Sequence, residues 1–381
     1  MNKVRMGIIG IGVMGSRHAL SLYAGDVENV KLTAVCDVKQ SRLDWAKETF
    51  DDSVARYEKA EELMDSGLVD AVLIAVPHYM HAEYAIYALR HGLHTLTEKP
   101  AGVYTKQVIE MNEAAKESGK IFGIMYNQRT NPYFRKLKEL VDTGELGQLR
   151  RMNWVVTNWY RSQSYYDSSE WRATWNGEGG GILINQCPHN LDMWQWICGM
   201  PSRIMAFCKY GSYRNIEVDD AFTMYAEYEN GMTVTIVSTT GEPHGTNRLE
   251  LVGDSGKVVI EEVRDNAFEF TYWKFAQSEP EFNAAYTGVF GEPDAKVVKF
   301  VPEDCFPYFD GHKKIIRNFA NAILKGDALI APGEEGLNAV EIFNACYLSS
   351  WENRWVELPV DAGRYLTRLD EKRKASARRS G

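Results

Sequence analysis

Val4-Arg5-Met6-Gly7-Ile8-Ile9-Gly10-Ile11-Gly12-Val13-Met14-Gly15 is the stretch on which the fold turns. A compact apolar run is followed at once by Gly-x-Gly-x-x-Gly and then by a segment of helical period. A lone glycine motif says little. One that leaves a strand and opens a helix describes a turn that cradles a dinucleotide pyrophosphate. Gly10 permits the tight turn, Gly12 lets the ligand approach the backbone, and Gly15 lets the helix lie close on the strand. The pyrophosphate charge then faces the positive end of the helix dipole. Val13 and Met14 complete the turn and are assigned to the cofactor with the three glycines.

Working outward, residues 30–36, 71–76, 93–96 and 121–125 are further short apolar runs, as strands buried on both faces should be. Helical patterns lie between them at 80–91, closed by Gly92, and 106–118, closed by Gly119. This alternation predicts a doubly wound parallel sheet, an α/β Rossmann domain over residues 1–126. Beyond Asn127 the pattern changes. Pro132 starts an amphipathic helix that stops at Gly144, and alternating segments follow: 221–228 and 232–238 around Asn230-Gly231, then 248–252 and 257–260. Residues 127–381 are therefore expected to form an α+β domain with a large, mostly antiparallel open sheet, one face covered by the helix of Trp194. Helical patterns at 312–324 and 334–350 are free to pack on either domain. The junction near Asn127 is the expected ligand cleft.

The chain has 381 residues, 45% of them hydrophobic and 25% charged, with a formal net charge of −9. That size suits two domains with a substantial core, and that charge argues against nucleic acid as a partner. The basic run of Arg368, Lys372, Arg373, Lys374, Arg378 and Arg379 reads as a solvated, partly frayed tail. Six cysteines, at 36, 187, 198, 208, 305 and 346, show no Cys-x-x-Cys spacing and read as reduced core thiols. The N-terminal apolar stretch is broken by glycines and resembles no signal peptide, and no apolar run is long enough to span a bilayer. A cytoplasmic protein with no membrane partner is expected. No His/Cys/Asp/Glu cluster has metal-ligand spacing, so no metal is assigned.

The second strand ends in Cys36-Asp37. A carboxylate there accepts from both ribose hydroxyls and repels a 2′-phosphate, which favours NAD over NADP. Lys39 and Arg42 lie near enough in sequence to receive such a phosphate, and Arg42 alternatively stacks on the adenine. Glu98-Lys99-Pro100 follows the fifth strand, and a lysine at the carboxyl end of a parallel strand faces the ligand crevice. Further on, Asn185, His189 and Asp192 fall four and three residues apart, so that on one helix they share a face. From spacing alone His189 is open to a second reading, a satisfied buried histidine.

Together these segments resemble the glucose–fructose oxidoreductase and inositol dehydrogenase family, Gfo/Idh/MocA. The resemblance runs through Gly10–Gly15 with His18 following, Ala75-Val76-Pro77, Glu98-Lys99-Pro100 and the triple glycine before His189 and Asp192. It continues in Ala331-Pro332-Gly333-Glu334-Glu335-Gly336 and the closing Val356-Glu357-Leu358-Pro359. It implies that Lys99 and His189 form the reaction centre and that Glu98 lies at the cofactor. In the family an Asp stands four residues before the histidine; here that residue is Asn185. An amide cannot hold an imidazolium by charge, so His189 should stay neutral to lower pH than with a carboxylate neighbour. Asn185 then hydrogen-bonds a substrate hydroxyl instead. The expected reaction is hydride transfer between a CH–OH of a sugar, glycoside or polyol and nicotinamide, with glycoside C3 the first guess from the family.

Pro77 and His78 follow the fourth strand; His78 reaches the ribose or substrate, or simply starts a helix. Asn127 and Arg129 end the last Rossmann strand, facing nicotinamide or substrate, or bridging the domains. Between Trp154 and Trp175 the chain is rich in aromatics, and Trp159, Tyr160, Tyr165, Trp171 and Trp175 with Arg161 are assigned to substrate, since flat faces with one polar edge suit sugar rings. The alternative for such residues is core or subunit interface. Three rival functions stand: an NAD-dependent glycosidase using transient oxidation, an inositol or free-sugar dehydrogenase, and a non-catalytic NAD-binding regulator. The resemblance also implies a homodimer or homotetramer.

Overall fold

Val4–Ile9 (β1) is buried at every residue but Arg5, and it lies in the middle of a parallel sheet in the computed structural model of the chain. Described are residues 3–264, 267–303 and 309–377. Cys305, Arg378 and Arg379 lie outside them. The Cα positions divide into two compact units. The first is Met1–Thr130 with Gly177–Gly179 and Tyr308–Val340; the second is Asn131–Asn176 with Gly180–Pro307 and Glu341–Gly381.

In the first unit β1 is joined by Val30–Cys36 (β2), Ala55–Tyr57 (β3), Ala71–Ile74 (β4), His94–Thr97 (β5) and Phe122–Ile124 (β6). All pair in parallel in the order β3-β2-β1-β4-β5-β6. The order reverses between β1 and β4, which places the ligand crevice outside their carboxyl ends. Val13–Tyr23 (α1), Gln40–Thr49 (α2), Ala60–Met64 (α3), Tyr79–Arg90 (α4) and Thr105–Ser118 (α5) connect the strands. Gly119 caps α5 in the left-handed region, as its position after the helix led one to expect.

The late helix Asp310–Lys325 belongs to this unit, not to the second domain in which a division at 126 would put it. Its apolar stripe, Ile315, Ile316, Phe319 and Ala322, needs cover. That cover comes from the Rossmann side: Gly123 lies against Phe319, and the Asn29 amide donates to the Arg317 carbonyl and Asn321.

The second unit carries Leu149–Val156 (β7), Arg203–Tyr210 (β8), Asp219–Glu227 (β9), Thr233–Thr239 (β10), Asn247–Gly253 (β11), Gly256–Arg264 (β12), Ala267–Phe275 (β13), Ala295–Phe300 (β14) and Val356–Glu357 (β15). Among the described residues they form one sheet, β14-β13-β12-β11-β7-β10-β9-β8-β15, antiparallel except where β7 meets β10. Along β7 the buried Met152, Trp154 and Val156 alternate with more exposed neighbours. Helices cover the buried face: Phe134 meets Trp154, Cys198 meets Met152, and Cys346 meets Met224. The helix of Trp194, Pro188–Cys198, is buried almost throughout.

Within the described residues the basic C-terminal run, Arg368 to Lys374, is helical rather than frayed. Ala362–Ala377 is a helix with Tyr365 and Leu369 fully buried, four residues apart on one side, while Arg368 pairs with Glu352 and Glu371. The described cysteines are all free thiols. Among the described residues no helix is long and apolar enough to cross a membrane.

Candidate active site

The glycine turn has the shape a dinucleotide needs. Gly10 holds φ +85°, and a Cβ there would stand 2.6 Å from the Ala75 carbonyl oxygen. A Cβ on Gly15 would stand 1.8 Å from the Gly10 carbonyl, so helix and turn touch backbone to backbone. Gly12 caps α1, and the space beside its Cα is open. Exposed Val13 and half-buried Met14 continue the rim. Asp37 stands beyond β2 with its carboxylate accepting from the N–H groups of Ile11 (2.9 Å) and Lys39 (2.9 Å). It thereby ties the second strand to the glycine turn, with lone pairs remaining for a ribose. Arg42 donates to the Ile11 carbonyl (2.8 Å) and lies 4.6 Å over the Trp45 ring. Its guanidinium is braced against its own helix.

At the ends of β4 and β5 the sequence-derived residues meet others that pattern alone did not single out. Lys99 is half-buried, while Glu98 turns inward. Glu98 Oε1 lies 2.7 Å from Nε2 of His18, a histidine with no exposed surface, and its other oxygen accepts the Lys99 N–H at 3.3 Å. Burial would raise the Glu98 carboxyl. The His18 hydrogen bond and the charges of His18, His312 and Lys99 outweigh it and bring the carboxyl down to about 2. The structure thus gives Glu98 a positioning task beside Lys99. His81 on α4 is buried, and its two ring nitrogens lie 2.7 Å from the carbonyl oxygens of Pro100 and Val76. His78 is buried with Nδ1 3.0 Å from the Glu178 carbonyl, beside half-buried Pro77.

Asn127 is buried, its backbone carbonyl accepting from the Thr130 hydroxyl. The contacts described for Arg129 lie at the end of the Rossmann sheet. Arg129 is 1% exposed, 2.5 Å from Glu335, and donates to the Ile330 carbonyl, all inside the first unit. The guanidinium is enclosed while its carboxylate partner is partly exposed.

In the second unit Asn185 and His189 do not share a single helix. Asn185 ends the short helix Ile182–Asn185, and His189 follows Pro188 at the start of Pro188–Cys198. Pro188 lacks an N–H and cannot continue a helix from the turn before it. The triple glycine has a structural cause. A Cβ on Gly181 would stand 1.9 Å from the Asp219 carbonyl oxygen, and the buried Asp219 carboxylate accepts from the N–H groups of Gly181 and Leu183 and from the Tyr347 hydroxyl. Asp219 fixes the helix that presents Asn185. His189 itself is buried, as is Asp192, which accepts from Gln195 at 2.9 Å.

Tyr165 gathers the aromatic segment. Its hydroxyl oxygen is approached by Arg172 (2.8 Å), Gln186 (3.2 Å) and Asn185 (3.4 Å), and guanidinium groups lie over its ring from Arg161 (5.1 Å) and Arg172 (4.6 Å). Arg161 also lies 5.7 Å from the Trp159 ring, and Arg172 lies 4.7 Å from Trp171. Tyr160 is exposed. Trp175 is not part of this surface. At 4% exposure it packs on Tyr210, Tyr347 and Trp351 and donates from its indole to the Glu217 carbonyl. Composition marks both kinds of aromatic alike, and only the fold tells core from surface. Gln186 carried no signal beyond lying beside assigned residues.

Residues 4–126 match an oxidoreductase family with an NAD-binding Rossmann fold, and residues 134–259 match the GFO/IDH/MocA C-terminal domain. Myo-inositol 2-dehydrogenase of Thermotoga maritima is 24% identical over 363 residues, 93% of this chain and 98% of that protein. The NADP(+)-dependent scyllo-inositol 2-dehydrogenase of Bacillus subtilis is 23% identical over 365 residues, 94% of this chain and 97% of that protein. The WlbA dehydrogenase of Bordetella pertussis, solved in complex with NADH and UDP-GlcNAcA, shares the fold with a TM-score of 0.79 at 23% identity, covering 94% of this chain and all of the other. The chain belongs to the GFO/IDH/MocA family of NAD-binding oxidoreductases.

Proposed function

We propose that the chain is an NAD-dependent dehydrogenase acting on a CH–OH group of a sugar, glycoside or polyol, with glycoside C3 the first position to test. The observation that carries the reading is one sheet edge. The open glycine turn, the Asp37 carboxylate and Lys99 follow the carboxyl ends of β1, β2 and β5 in one parallel sheet, the end where such sheets take their ligands. The inositol dehydrogenases among the relatives favour a second reading, oxidation of a free inositol or sugar. NAD is preferred over NADP because Asp37 repels a 2′-phosphate and Arg42 is engaged with Ile11 and Trp45.

Bound NAD supplies the hydride acceptor. In the proposed reaction His189 takes the hydroxyl proton, and the Lys99 ammonium stabilises the alkoxide as it develops. Asn185 holds a substrate hydroxyl through its amide. Trp159, Tyr160, Arg161, Tyr165 and Trp171 offer faces and donors to the ring. Arg129 and Trp175 are left out because their polar groups are engaged inside the protein. We further propose a homodimer or homotetramer working in the cytoplasm.

A panel of polyols, free sugars and glycosides with NAD or NADP, followed by absorbance of the reduced cofactor, tests the reading. Lys99→Ala and His189→Ala should each lower kcat by roughly 10²-fold or more, the scale of acid–base contributions. Rates near wild type in both variants would sink the assignment.

A further inference from the structure

The second unit holds a cavity of about 480 Å³ of which the reaction proposed above uses only Tyr160, at its rim. Tyr160, Ser162, Ser212, Tyr213, Arg214 and Asn215 line it. Its floor is built from the turn before β9. Gly211 takes φ +56°, and the carboxylate of buried Asp220 accepts from the N–H groups of Tyr213 (2.6 Å) and Arg214 (3.2 Å). The turn therefore cannot shift without stripping a buried carboxylate of its donors.

Arg214 is fixed on this base. Nε donates to the Arg161 carbonyl (2.7 Å), Nη1 donates to the Tyr213 carbonyl (2.7 Å), and the guanidinium lies 5.0 Å over the Tyr160 ring. Five N–H groups belong to a guanidinium, and two of Arg214's are spent on carbonyls. Among the described residues neither Arg214 nor the adjoining Arg161 has a carboxylate within ion-pair distance; Arg161 donates to the Tyr160 carbonyl and stacks on Trp159 and Tyr165. Two positive charges thus stand together without neutralisation in a chain whose formal net charge is −9. A flexible surface cation gains little from an anion, because ordering both partners consumes the attraction. An arginine already stacked and hydrogen-bonded has lost that freedom beforehand and presents a planar fork that matches a carboxylate or phosphate. Around it, Tyr160 at 47% and Tyr213 at 50% exposure offer flat apolar faces, with serine hydroxyls and the Asn215 amide nearby. That combination suits a sugar ring carrying an oxyanion.

We propose that this cavity binds the anionic group of an acidic carbohydrate, with Arg214 taking the oxyanion and the rings of Tyr160 and Tyr213 taking the sugar. As a statement about substrate it rests on the dehydrogenase reading. As a statement about binding it does not.

Titration calorimetry of the full chain with D-glucuronate, D-glucose 6-phosphate and D-glucose separates the two. At least one acid should bind about tenfold or more tightly than glucose, the scale of a charge-assisted hydrogen bond, and the stronger acid tells carboxylate from phosphate. Arg214→Gln keeps donors without charge and should erase most of that advantage. Tyr160→Ala, at an exposed position, should weaken the same acid without touching the charge. Equal binding of acid and neutral sugar, or an advantage unchanged in both variants, overturns the proposal. Acid binding that depends on Arg214, with no reduction of NAD by any sugar, supports the cavity and sinks the dehydrogenase reading. Turnover of sugars with no acid preference does the reverse.

Discussion

Glu98 occupies a place where an ionised carboxylate is costly, enclosed by protein and next to the lysine assigned to the reaction. His18 makes the ionised form tolerable, with Nε2 at 2.7 Å and the ring itself packed against the stacked rings of Phe309 and His312. Because the folded carboxyl is depressed from its ordinary 4.5 to about 2, the pair adds stability that is fully present above 4.5. That stability is lost as pH falls from 4.5 through about 2. His18→Gln retains a donor but no charge, so the Glu98 carboxyl should rise toward 4.5, which lowers stability above that pH and flattens its loss below it. Urea midpoints of both proteins across this window check it. Parallel curves would show that the pair does not hold the carboxylate. Residues 80 apart in the chain form this pair, and no local spacing announces it. The chain order of the sheet must be known before α1 can be brought to the turn after β5.

The element that organises the reactive edge is α4, through His81. Its ring joins the carbonyl after β4 to the carbonyl after β5, each at 2.7 Å. Only a doubly protonated imidazole donates to both. Burial outweighs the upward pull of the two carbonyls and Glu98 and holds the imidazole below its ordinary value, so the second tie forms only as pH falls. His81→Gln can serve one carbonyl at a time and should loosen the turn that carries Lys99. Turnover at saturating substrate should then fall about tenfold or more, since small misplacements of a reacting group are costly. Wild-type kcat in this variant would remove His81 from the positioning scheme. Elements differed in how openly the sequence declared them. β1, β2 and β4 are buried on both faces and read as apolar runs, and Gly119 marked the end of α5. β3 is three half-buried residues at a sheet edge, and β14 is almost wholly exposed, so neither carries a burial pattern to read. The break at Pro188 was legible in principle: proline in the i+4 frame of Ile184 already excludes one continuous helix from Asn185 to His189.

At the scale of the whole molecule the large sheet of the second unit poses a question of cover. One face lies under helices, as Trp154, Met152 and Met224 attest. The other carries Phe207, 56% exposed, with Val155 and Tyr225, together with charge ladders in which Glu250 meets Arg151, Arg248 and Lys257 and Arg203 meets Glu227. Apolar side chains spaced among paired charges make a surface that a second copy can meet with the same patch, the geometry of a twofold dimer. A stable interface of this kind needs on the order of 800 Å² from each partner, and a sheet of this breadth offers a continuous face for it. Sedimentation velocity at micromolar protein should therefore give a dimer or tetramer. Phe207→Glu places an unmatched charge at the most exposed member of the apolar set and should shift the population toward monomer by about tenfold in dissociation constant, about 1.4 kcal/mol. A monomeric wild-type chain, or a variant that associates as tightly as wild type, would mean that this face meets solvent.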